Sequence, residues 1–423
     1  MICSYRKAEE AKMVTNLNQT PMANRYHIGI FGNRNAGKST LMNGITGQSI
    51  SVVSEVAGTT TDPVYKTMEL LPIGPVVFID TAGYDDEGEL GMQRMEKSFE
   101  VLRKTDFALV VLRSDMQTAE IKFIKELHKR NLAFLVIINE CEQVNSDIIA
   151  EVRQNKWNHV IGNVMEQETI DRIKEQIIAL YRLEEELSLV HGLINSDDIA
   201  VLVTPIDSAA PKGRLILPQQ QTIRDILDQD AIAIVTKEHQ LKETFASVGK
   251  KPKIVITDSQ AFSKVSKETP EDILMTSFSI LFARQKGELE PMLYGALQAG
   301  KLKPSDRVLL VEGCTHHRQS DDIGTVKIPR WIRELAGGEV LFDHVSGVQY
   351  PKDLTPYKLI IHCGGCMLNK REIQYRIAEA KEQGVPITNY GMLIAYVMGI
   401  LERALKPFES AEQLLKENVV NKN

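Results

Sequence analysis

Short, almost uninterrupted apolar runs alternate with longer amphipathic stretches along most of this chain. Four such runs, each too short for a helix, lie in the first part of the sequence: Tyr26 to Phe31, Val76 to Ile79, Phe107 to Leu112 and Ala133 to Ile138. Apolar positions with helical spacing follow at Ser39 to Ile45 and Glu168 to Arg182. Strands that are apolar on both faces and alternate with helices predict a parallel α/β sheet.

The same alternation returns twice. A second, smaller unit has strand candidates at Val201 to Ile206, Ala231 to Val235 and Lys253 to Ile256, with helix candidates at Thr222 to Leu227 and His239 to Ser247. A third unit begins with a helical stretch from about Glu268. Its strand candidates are Val308 to Val311, Val340 to Phe342, Leu359 to His362 and Pro386 to Asn389, and its helix candidates are Lys370 to Glu382 and Met392 to Ala404. We therefore predict an α/β protein with a tail over 1–23 and domains over 24–185, 186–267 and 268–423.

Composition narrows the classes of partner and the location. A formal net charge of -6 and a pI near 5.9 give no basic footprint, so a nucleic-acid partner gains no support. Five cysteines, an odd number, without an apolar leader favour a reducing compartment, and we expect a cytoplasmic protein. The apolar stretch from Met392 to Leu401 is interrupted well before the roughly 20 residues that a bilayer requires, so we expect no membrane association.

A phosphate-binding loop, Gly32-Asn33-Arg34-Asn35-Ala36-Gly37-Lys38-Ser39, follows the first predicted strand and precedes a predicted helix. Its glycines allow backbone amides to face phosphate oxygens, while Lys38 supplies a positive charge and Ser39 a magnesium ligand. The segment Gly58-Thr59-Thr60-Thr61-Asp62 has the spacing of a first switch loop, in which a threonine hydroxyl completes the magnesium shell. Asp80 and Gly83 in Asp80-Thr81-Ala82-Gly83 are placed to hold magnesium through water and to sense the terminal phosphate.

These motifs resemble those of the translation-factor-related GTPases, and Asn35 with Gly58-Thr59-Thr60 resembles the subgroup of tRNA-modification and ribosome-assembly GTPases. The resemblance covers roughly residues 24 to 182. It implies GTP and magnesium as ligands and a potassium ion at Asn35. Tyr84 stands where signalling GTPases carry a water-positioning glutamine, so we expect slow hydrolysis that potassium stimulates.

The guanine-reading motif departs from the family pattern Asn-Lys-x-Asp, because the sequence here is Asn139-Glu140-Cys141-Glu142. Glu142 can still accept hydrogen bonds from guanine, so guanine stays favoured. The residues assigned to the nucleotide are Gly32, Asn33, Asn35, Ala36, Gly37, Lys38, Ser39, Thr40, Thr59, Thr60, Asn139 and Glu142. The residues assigned to hydrolysis are Lys38, Thr60, Asp80 and Gly83, and those assigned to magnesium are Ser39, Thr60 and Asp80.

Three cysteines follow predicted strands of the third unit. Cys363 and Cys366 have Cys-x-x-Cys spacing, and Cys314 lies 49 positions before Cys363 (363 minus 314). A thioredoxin-like dithiol leaves Cys314 unexplained. A structural zinc site with His316 or His362 and an iron-sulfur cluster bound by three cysteines both remain open, with the cluster favoured. Cys3 and Cys141 stand apart and are predicted not to be ligands.

The GTPase motifs, the segment from Thr204-Pro205-Ile206-Asp207 through Ala210 to Gln219, and the two cysteine motifs together resemble the maturation GTPases of the FeFe-hydrogenases, the HydF family. The resemblance spans nearly the whole chain. It implies a GTPase domain, a dimerisation domain and a domain that binds a 4Fe-4S cluster through Cys314, Cys363 and Cys366. The fourth iron would be open, or held by an exchangeable ligand such as His316.

In that family the protein holds or assembles the di-iron subcluster before its delivery to apo FeFe-hydrogenase. The implied partners are the hydrogenase, two radical S-adenosylmethionine maturases and a second copy of the chain. From the residues alone, a ribosome- or tRNA-directed GTPase with a zinc module is the alternative, and it requires a basic surface and RNA-dependent turnover. A structural scaffold with a degenerate nucleotide site, motivated by the altered guanine motif, is a third interpretation.

Overall fold

A computed structural model describes residues 20–47, 63–83, 97–113, 118–139, 146–181, 188–205, 215–313, 322–347 and 349–420. The chain divides into two units, Met1–Arg182 and Leu183–Asn423. Within the described ranges no helix is both long enough and apolar enough to cross a bilayer.

The first unit is built on one six-stranded sheet. Its strands are β1 (Tyr26–Phe31), β2 (Val64–Leu70), β3 (Gly74–Asp80), β4 (Phe107–Leu112), β5 (Ala133–Asn139) and β6 (His159–Gly162). Their order across the sheet is β2-β3-β1-β4-β5-β6, and only the β2–β3 pair is antiparallel. The helices are α1 (Lys38–Thr46), α2 (Thr118–Lys129), α3 (Ser146–Gln154) and α4 (Gln167–Leu180), and residues 97–103 are also helical.

Both faces of this sheet are covered, which explains why its strands are apolar without alternation. One core joins one face of the strands to α1 and α4, through residues such as Leu41 and Ile173. The other joins the opposite face to residues 97–103, α2 and α3, through residues such as Leu102 and Val152. Alternate strand residues therefore belong to different cores, as with Ile30 and Phe31.

The second unit contains two four-stranded sheets that are parallel throughout. One consists of β7 (Ile199–Val203), β8 (Ile232–Thr236), β9 (Ile254–Thr257) and β10 (Leu274–Ser277), and the other of β11 (Arg307–Glu312), β12 (Leu341–Ser346), β13 (Leu359–His362) and β14 (Ile387–Asn389). The orders are β10-β9-β7-β8 and β12-β11-β13-β14. In each sheet the first strand of the chain lies between the second and the third, so both sheets have the same topology.

Ten helices of the second unit pack on these sheets within the described residues. They are α5 (Leu217–Asp228), α6 (Leu241–Ser247), α7 (Phe262–Glu268), α8 (Phe278–Lys286), α9 (Leu289–Ala299), α10 (Ile328–Ala336), α11 (Lys370–Glu382), α12 (Tyr390–Val397), α13 (Leu401–Leu405) and α14 (Glu409–Val420). A single hydrophobic core runs from the first of the two sheets into the second, and includes Val201, Leu281, Leu309 and Ile360. A smaller core lies on the other face of the β11–β14 sheet and includes Ile332 of α10.

The predicted α/β class is confirmed, and β1, β4, β13 and α11 have the predicted bounds. The single helix predicted over Met392 to Ala404 is wrong. The chain forms α12 and α13 instead, because Gly399 between them adopts a left-handed φ of 70° that ends α-helical geometry.

Three strands were not predicted: β2, β6 and β10. β10 replaces part of the helical stretch expected from about Glu268, because α7 ends at Glu268 and Leu274–Ser277 pairs with β9 before α8 begins. The domain boundary at 267 stays a prediction. It would separate β10 from β9, although these two strands pair in one sheet.

Candidate functional site

The phosphate-binding loop connects β1 to α1 in the middle of the first sheet. It lies at a position where chain connections leave in opposite directions, because β3 lies on one side of β1 and β4 on the other. Open α/β sheets bind their ligands at such switch points. A side chain at Gly32 would collide with the carbonyl oxygen of Val111, and Gly37 begins α1 with a left-handed φ of 100°. Glycine is therefore required at both ends of the turn.

The lysine of this loop is turned inward. Lys38 is 7% exposed, and its ammonium donates to the carbonyl oxygens of Gly32 (2.9 Å) and Asn33 (2.7 Å). The loop thus forms around Lys38, as expected for a phosphate site.

Two of the predicted magnesium ligands, Ser39 and Asp80, lie in the described part of the chain and are in contact. Ser39 Oγ donates to Asp80 Oδ2 over 2.6 Å, which joins the start of α1 to the end of β3. Asp80 Oδ1 is buried and accepts no hydrogen bond within the described part of the chain. Burial raises the pKa of Asp80, and the Ser39 hydroxyl and the Lys38 ammonium counteract this. An acceptor with unused lone pairs beside a hydroxyl fits a hydrated divalent cation.

Asn139 ties the phosphate loop to the chain that follows β6. Its Nδ2 donates to the carbonyl oxygen of Ala36 (2.9 Å), and its Oδ1 accepts from the backbone N–H of Val164 (3.2 Å). A Cβ on Gly37 would lie 2.5 Å from the same Nδ2. Val164 was not among the residues predicted for the nucleotide, yet it contacts Asn139, which was.

The remaining residues predicted from the sequence divide into two groups. Asn35 and Thr40 are exposed in the loop and in α1, with Asn35 at a left-handed φ of 59°, and Gly83 follows β3. Several predicted residues lie outside the described ranges: Thr59, Thr60, Tyr84, Glu142, Cys314 and His316. Their assignments stay predictions.

The motif from Cys363 to Cys366 lies at the corresponding switch point of the third sheet, which is formed by β11 to β14. β11 has β12 on one side and β13 on the other, and Cys363 directly follows β13. Cys363 is bound to the end of β11 by its own N–H, which donates to the carbonyl oxygen of Val311 over 2.8 Å. Cys314 is the second residue after β11 in sequence, so the topology brings the two motif-bearing connections to one edge.

The Cys363 sulfur accepts two backbone hydrogen bonds. Gly313, the chain neighbour of Cys314, donates over 3.0 Å, and Gly365 donates over 3.4 Å. Burial raises the pKa of the Cys363 thiol, and these two N–H groups counteract this. Amide donors aimed at a sulfur stabilise a thiolate ligand of iron-sulfur clusters and zinc sites. The residues present therefore fit a thiolate-bound metal group.

His362 is committed to other partners. Its Nδ1 lies 2.7 Å from the Cys363 carbonyl oxygen and its Nε2 lies 3.0 Å from Arg376 Nη1. Because a carbonyl only accepts and a guanidinium only donates, the ring is neutral with its proton on Nδ1. Burial and the Arg376 charge lower the pKa of His362 to about 3. Both ring nitrogens are engaged, which counts against His362 as a ligand of the cysteine centre.

Arg376 on α11 completes this arrangement from behind the motif. It is fully buried, and it donates to Glu372 Oε1 (2.9 Å) and to the carbonyl oxygen of Gly347 (2.9 Å). Sequence reasoning missed it, because Arg376 looks like one of many charged residues on an amphipathic helix. Arg376 lies about two turns after Asn369, the N-cap of that helix, and this position alone does not indicate a buried role.

Cys366 lies in the turn that leads from Cys363 to α11. Burial raises the pKa of the Cys366 thiol, and the nearby Lys286 ammonium counteracts this. The described residues contain no group of three or more histidine, cysteine or carboxylate side chains suited to a metal ion, and Cys314 is not among those residues. Cys363 and Cys366 thus supply two of the three predicted thiolates, beside the chain neighbour of the third.

Three family models match consecutive parts of the chain. Residues 27–140 match a model described as a 50S ribosome-binding GTPase. Residues 189–287 match the hydrogen maturase F dimerization domain, and residues 290–407 match the hydrogen maturase F tetramerization domain.

Curated relatives share only part of the sequence. A GTPase Der from Wolinella succinogenes is 31% identical over 191 residues, covering 42% of this chain and 40% of that protein. A tRNA modification GTPase MnmE from Lactobacillus gasseri is 25% identical over 257 residues, covering 58% of this chain and 52% of that protein. The chain thus spans about half, or less, of the length of these relatives. Among solved structures, Aquifex aeolicus Era bound to GDP.AlF4- is 16% identical, with a TM-score of 0.33 over 53% of this chain and 98% of that one.

Proposed function

This chain belongs to the hydrogen maturase F family, and from that premise we propose that it is a GTP-hydrolysing scaffold for an iron-sulfur cluster. In this proposal it assembles or holds the di-iron subcluster and delivers it to apo FeFe-hydrogenase. The observation that carries the proposal is the Cys363 sulfur, which accepts two backbone N–H groups at the switch point of the third sheet.

The proposed cluster ligands are Cys314, Cys363 and Cys366. Three thiolates hold three irons of a 4Fe-4S cluster, and the fourth iron is open or bound by an exchangeable ligand, for which His316 stays our candidate. When bound, such a cluster supplies an iron that can accept an outside ligand. The chain's own contribution is to present the two thiols of the Cys-x-x-Cys turn and to direct amide N–H groups at one of them.

Anaerobic reconstitution followed by iron, sulfide and zinc analysis tests this assignment. We expect iron and sulfide together in the wild type and their joint loss in Cys314→Ser and Cys363→Ser. Cys3→Ser and Cys141→Ser are matched controls that should keep the wild-type content, since neither is a proposed ligand. Stoichiometric zinc without sulfide would overturn the proposal in favour of a structural zinc module.

The nucleotide site is proposed to control partners and to leave the cluster chemically unchanged. A nucleotide-ordered switch is a two-state element, so GTP binding and hydrolysis can gate the docking and release of partners. The proposed partners are apo FeFe-hydrogenase and two radical S-adenosylmethionine maturases, in the cytoplasm. Lys38→Ala should abolish GTP hydrolysis and leave the reconstituted iron content unchanged, and loss of the cluster spectrum in that variant would contradict this division of labour.

Slow hydrolysis and potassium stimulation are proposed together. Asn35 is exposed in the phosphate loop with a left-handed backbone, so its side chain is available to an incoming ligand. Replacing potassium by sodium should reduce GTP turnover in the wild type and have little further effect in Asn35→Ala. Equal turnover of the wild type in both salts would remove potassium from the proposal.

We also propose that the second domain reaches about residue 287, since β10 belongs to its sheet and a family model ends there. In that domain β8 is one of the two edge strands of the described sheet, and it exposes Ile232 (48%) and Val235 (44%). Leu227, just before it, is 55% exposed. An apolar, unprotected edge is a template for pairing with another chain, so we assign the dimer contact to β8.

A further inference from the structure

A buried ammonium group supports the turn that carries Cys366. Lys286 is the last residue of α8 and is 7% exposed. Its Nζ donates to the carbonyl oxygens of Leu368 (2.8 Å), Gly365 (3.3 Å) and Cys366 (3.4 Å). All three acceptors belong to one turn, and that turn contains a proposed cluster ligand.

The helix that carries Lys286 does not belong to the cysteine motif. α8 starts directly after β10, in the other sheet, where Ser277 Oγ accepts from the N–H of Ile280 (3.3 Å). The far end of α8 contacts the turn through Lys286, and the acceptors lie 79 to 82 positions after Lys286 in sequence. Lys286 also packs over the Phe282 ring, with Nζ 5.3 Å from the ring centroid. The Phe282 ring and the three carbonyl oxygens of the turn together hold the ammonium in place.

The positive charge of Lys286 lies against the turn that carries the Cys366 thiol. Three carbonyl dipoles orient the ammonium, and they hold it against the turn of the residue whose thiolate would bind metal. Charge near a cluster changes its reduction potential, because the reduced form carries one more negative charge.

We propose that Lys286 is a positioning residue for the cluster, which fixes the Gly365 to Leu368 turn and raises the reduction potential of the cluster through its positive charge. This inference rests on the proposed function, since it requires a cluster at Cys363 and Cys366. It assigns to the end of α8 a role that no motif in the sequence indicates.

The test compares three reconstituted proteins by potentiometric titration followed by electron paramagnetic resonance. Lys286→Met removes the charge and keeps most of the stem, and Lys286→Arg keeps the charge. At a fixed potential, Lys286→Met should shift the oxidised-to-reduced ratio about tenfold towards the oxidised form, which is about 59 mV for a one-electron couple. Lys286→Arg should recover most of that shift. Lys301→Met, which removes an exposed lysine of the same unit, should leave the ratio unchanged.

The outcomes separate this inference from the proposed function. A wild type without iron and sulfide would overturn both, whereas a wild-type cluster with an unchanged potential in Lys286→Met would overturn the inference alone. Where Lys286→Met fails to fold by circular dichroism, Lys286→Gln replaces it, because an amide N–H still donates to a carbonyl without carrying charge. Loss of folding in both variants would also overturn the inference, since Lys286 would then serve folding and not the cluster.

Discussion

Replacing Arg376 by methionine should destabilise the second unit strongly. The guanidinium is fully buried and binds three groups: Glu372 Oε1, His362 Nε2 and the Gly347 carbonyl oxygen, at 2.9, 3.0 and 2.9 Å. Methionine fills much of the same space and can donate to none of them. The substitution therefore leaves a carboxylate that is only 5% exposed without its cation.

The burial of the Arg376–Glu372 pair sets the expected size of the loss in stability. Removing one partner of a buried ion pair costs about 3 to 5 kcal/mol, because the remaining charge stays buried. Each of the two other acceptors adds on the order of 1 kcal/mol, while protonation of Glu372 relieves part of the loss. We expect Arg376→Met to lower the free energy of unfolding by about 4 kcal/mol. Adding Glu372→Gln removes the orphaned charge and should recover about half of this.

The chain provides its own reporter and its own control. It has two tryptophans, Trp157 in the first unit and Trp331 in the second, so a Trp157→Phe background makes fluorescence report on the second unit alone. Urea unfolding at constant protein concentration then measures the change. Arg224→Met is the matched control, because Arg224 makes the same i,i+4 contact with Asp228 on the surface. If Arg376→Met shifts the midpoint no more than Arg224→Met does, burial of the ion pair does not make it important for stability.

Three further changes test other parts of the structure. Gly295→Ala should destabilise the second unit by about 1 to 3 kcal/mol in the same urea assay, because a Cβ there collides with the backbone of β14, whereas Gly249→Ala meets no atom and should be neutral. Ile232→Lys should convert dimers to monomers, as measured by light scattering. Met165→Lys, at an 80% exposed position of the first unit, should leave the mass unchanged. An unchanged mass in Ile232→Lys would show that β8 does not form the interface. Asn139→Ala should weaken binding of a fluorescent GTP analogue about tenfold, because two hydrogen bonds that hold the phosphate loop are lost. Unchanged affinity would mean that the loop holds its shape without them.

Local patterns predicted the fold class well, because the strands buried on both faces are continuous apolar runs. β1, β4 and β13 are of this kind. β2 has an alternating burial pattern and β10 has four residues, Leu-Met-Thr-Ser, that merge into the following helix, so neither gives a clear apolar run. Their place in a sheet is decided by the neighbouring strand, which a local pattern does not contain.

The candidate sites were predictable to a similar depth. Motifs with fixed spacing, such as Gly32 to Ser39 and Cys363 to Cys366, identified the residues that we propose as ligand-binding. The residues behind them were not found, because Arg376 and Lys286 reach the cysteine motif from separate helices across 14 and about 80 positions. Support of this kind depends on tertiary contacts, and nothing in the spacing of the sequence reveals it.

The core that runs through both sheets of the second unit has a practical consequence for shortened versions of this protein. Cutting the chain between 287 and 290 would follow the family-model boundary and would still split one apolar interior, leaving residues such as Leu309 and Ile360 without the side chains of α8. A fragment that starts there would expose a broad hydrophobic face and aggregate. The two sheets should therefore melt in one cooperative transition, and any fragment prepared to test cluster binding should include α8 and the strand before it.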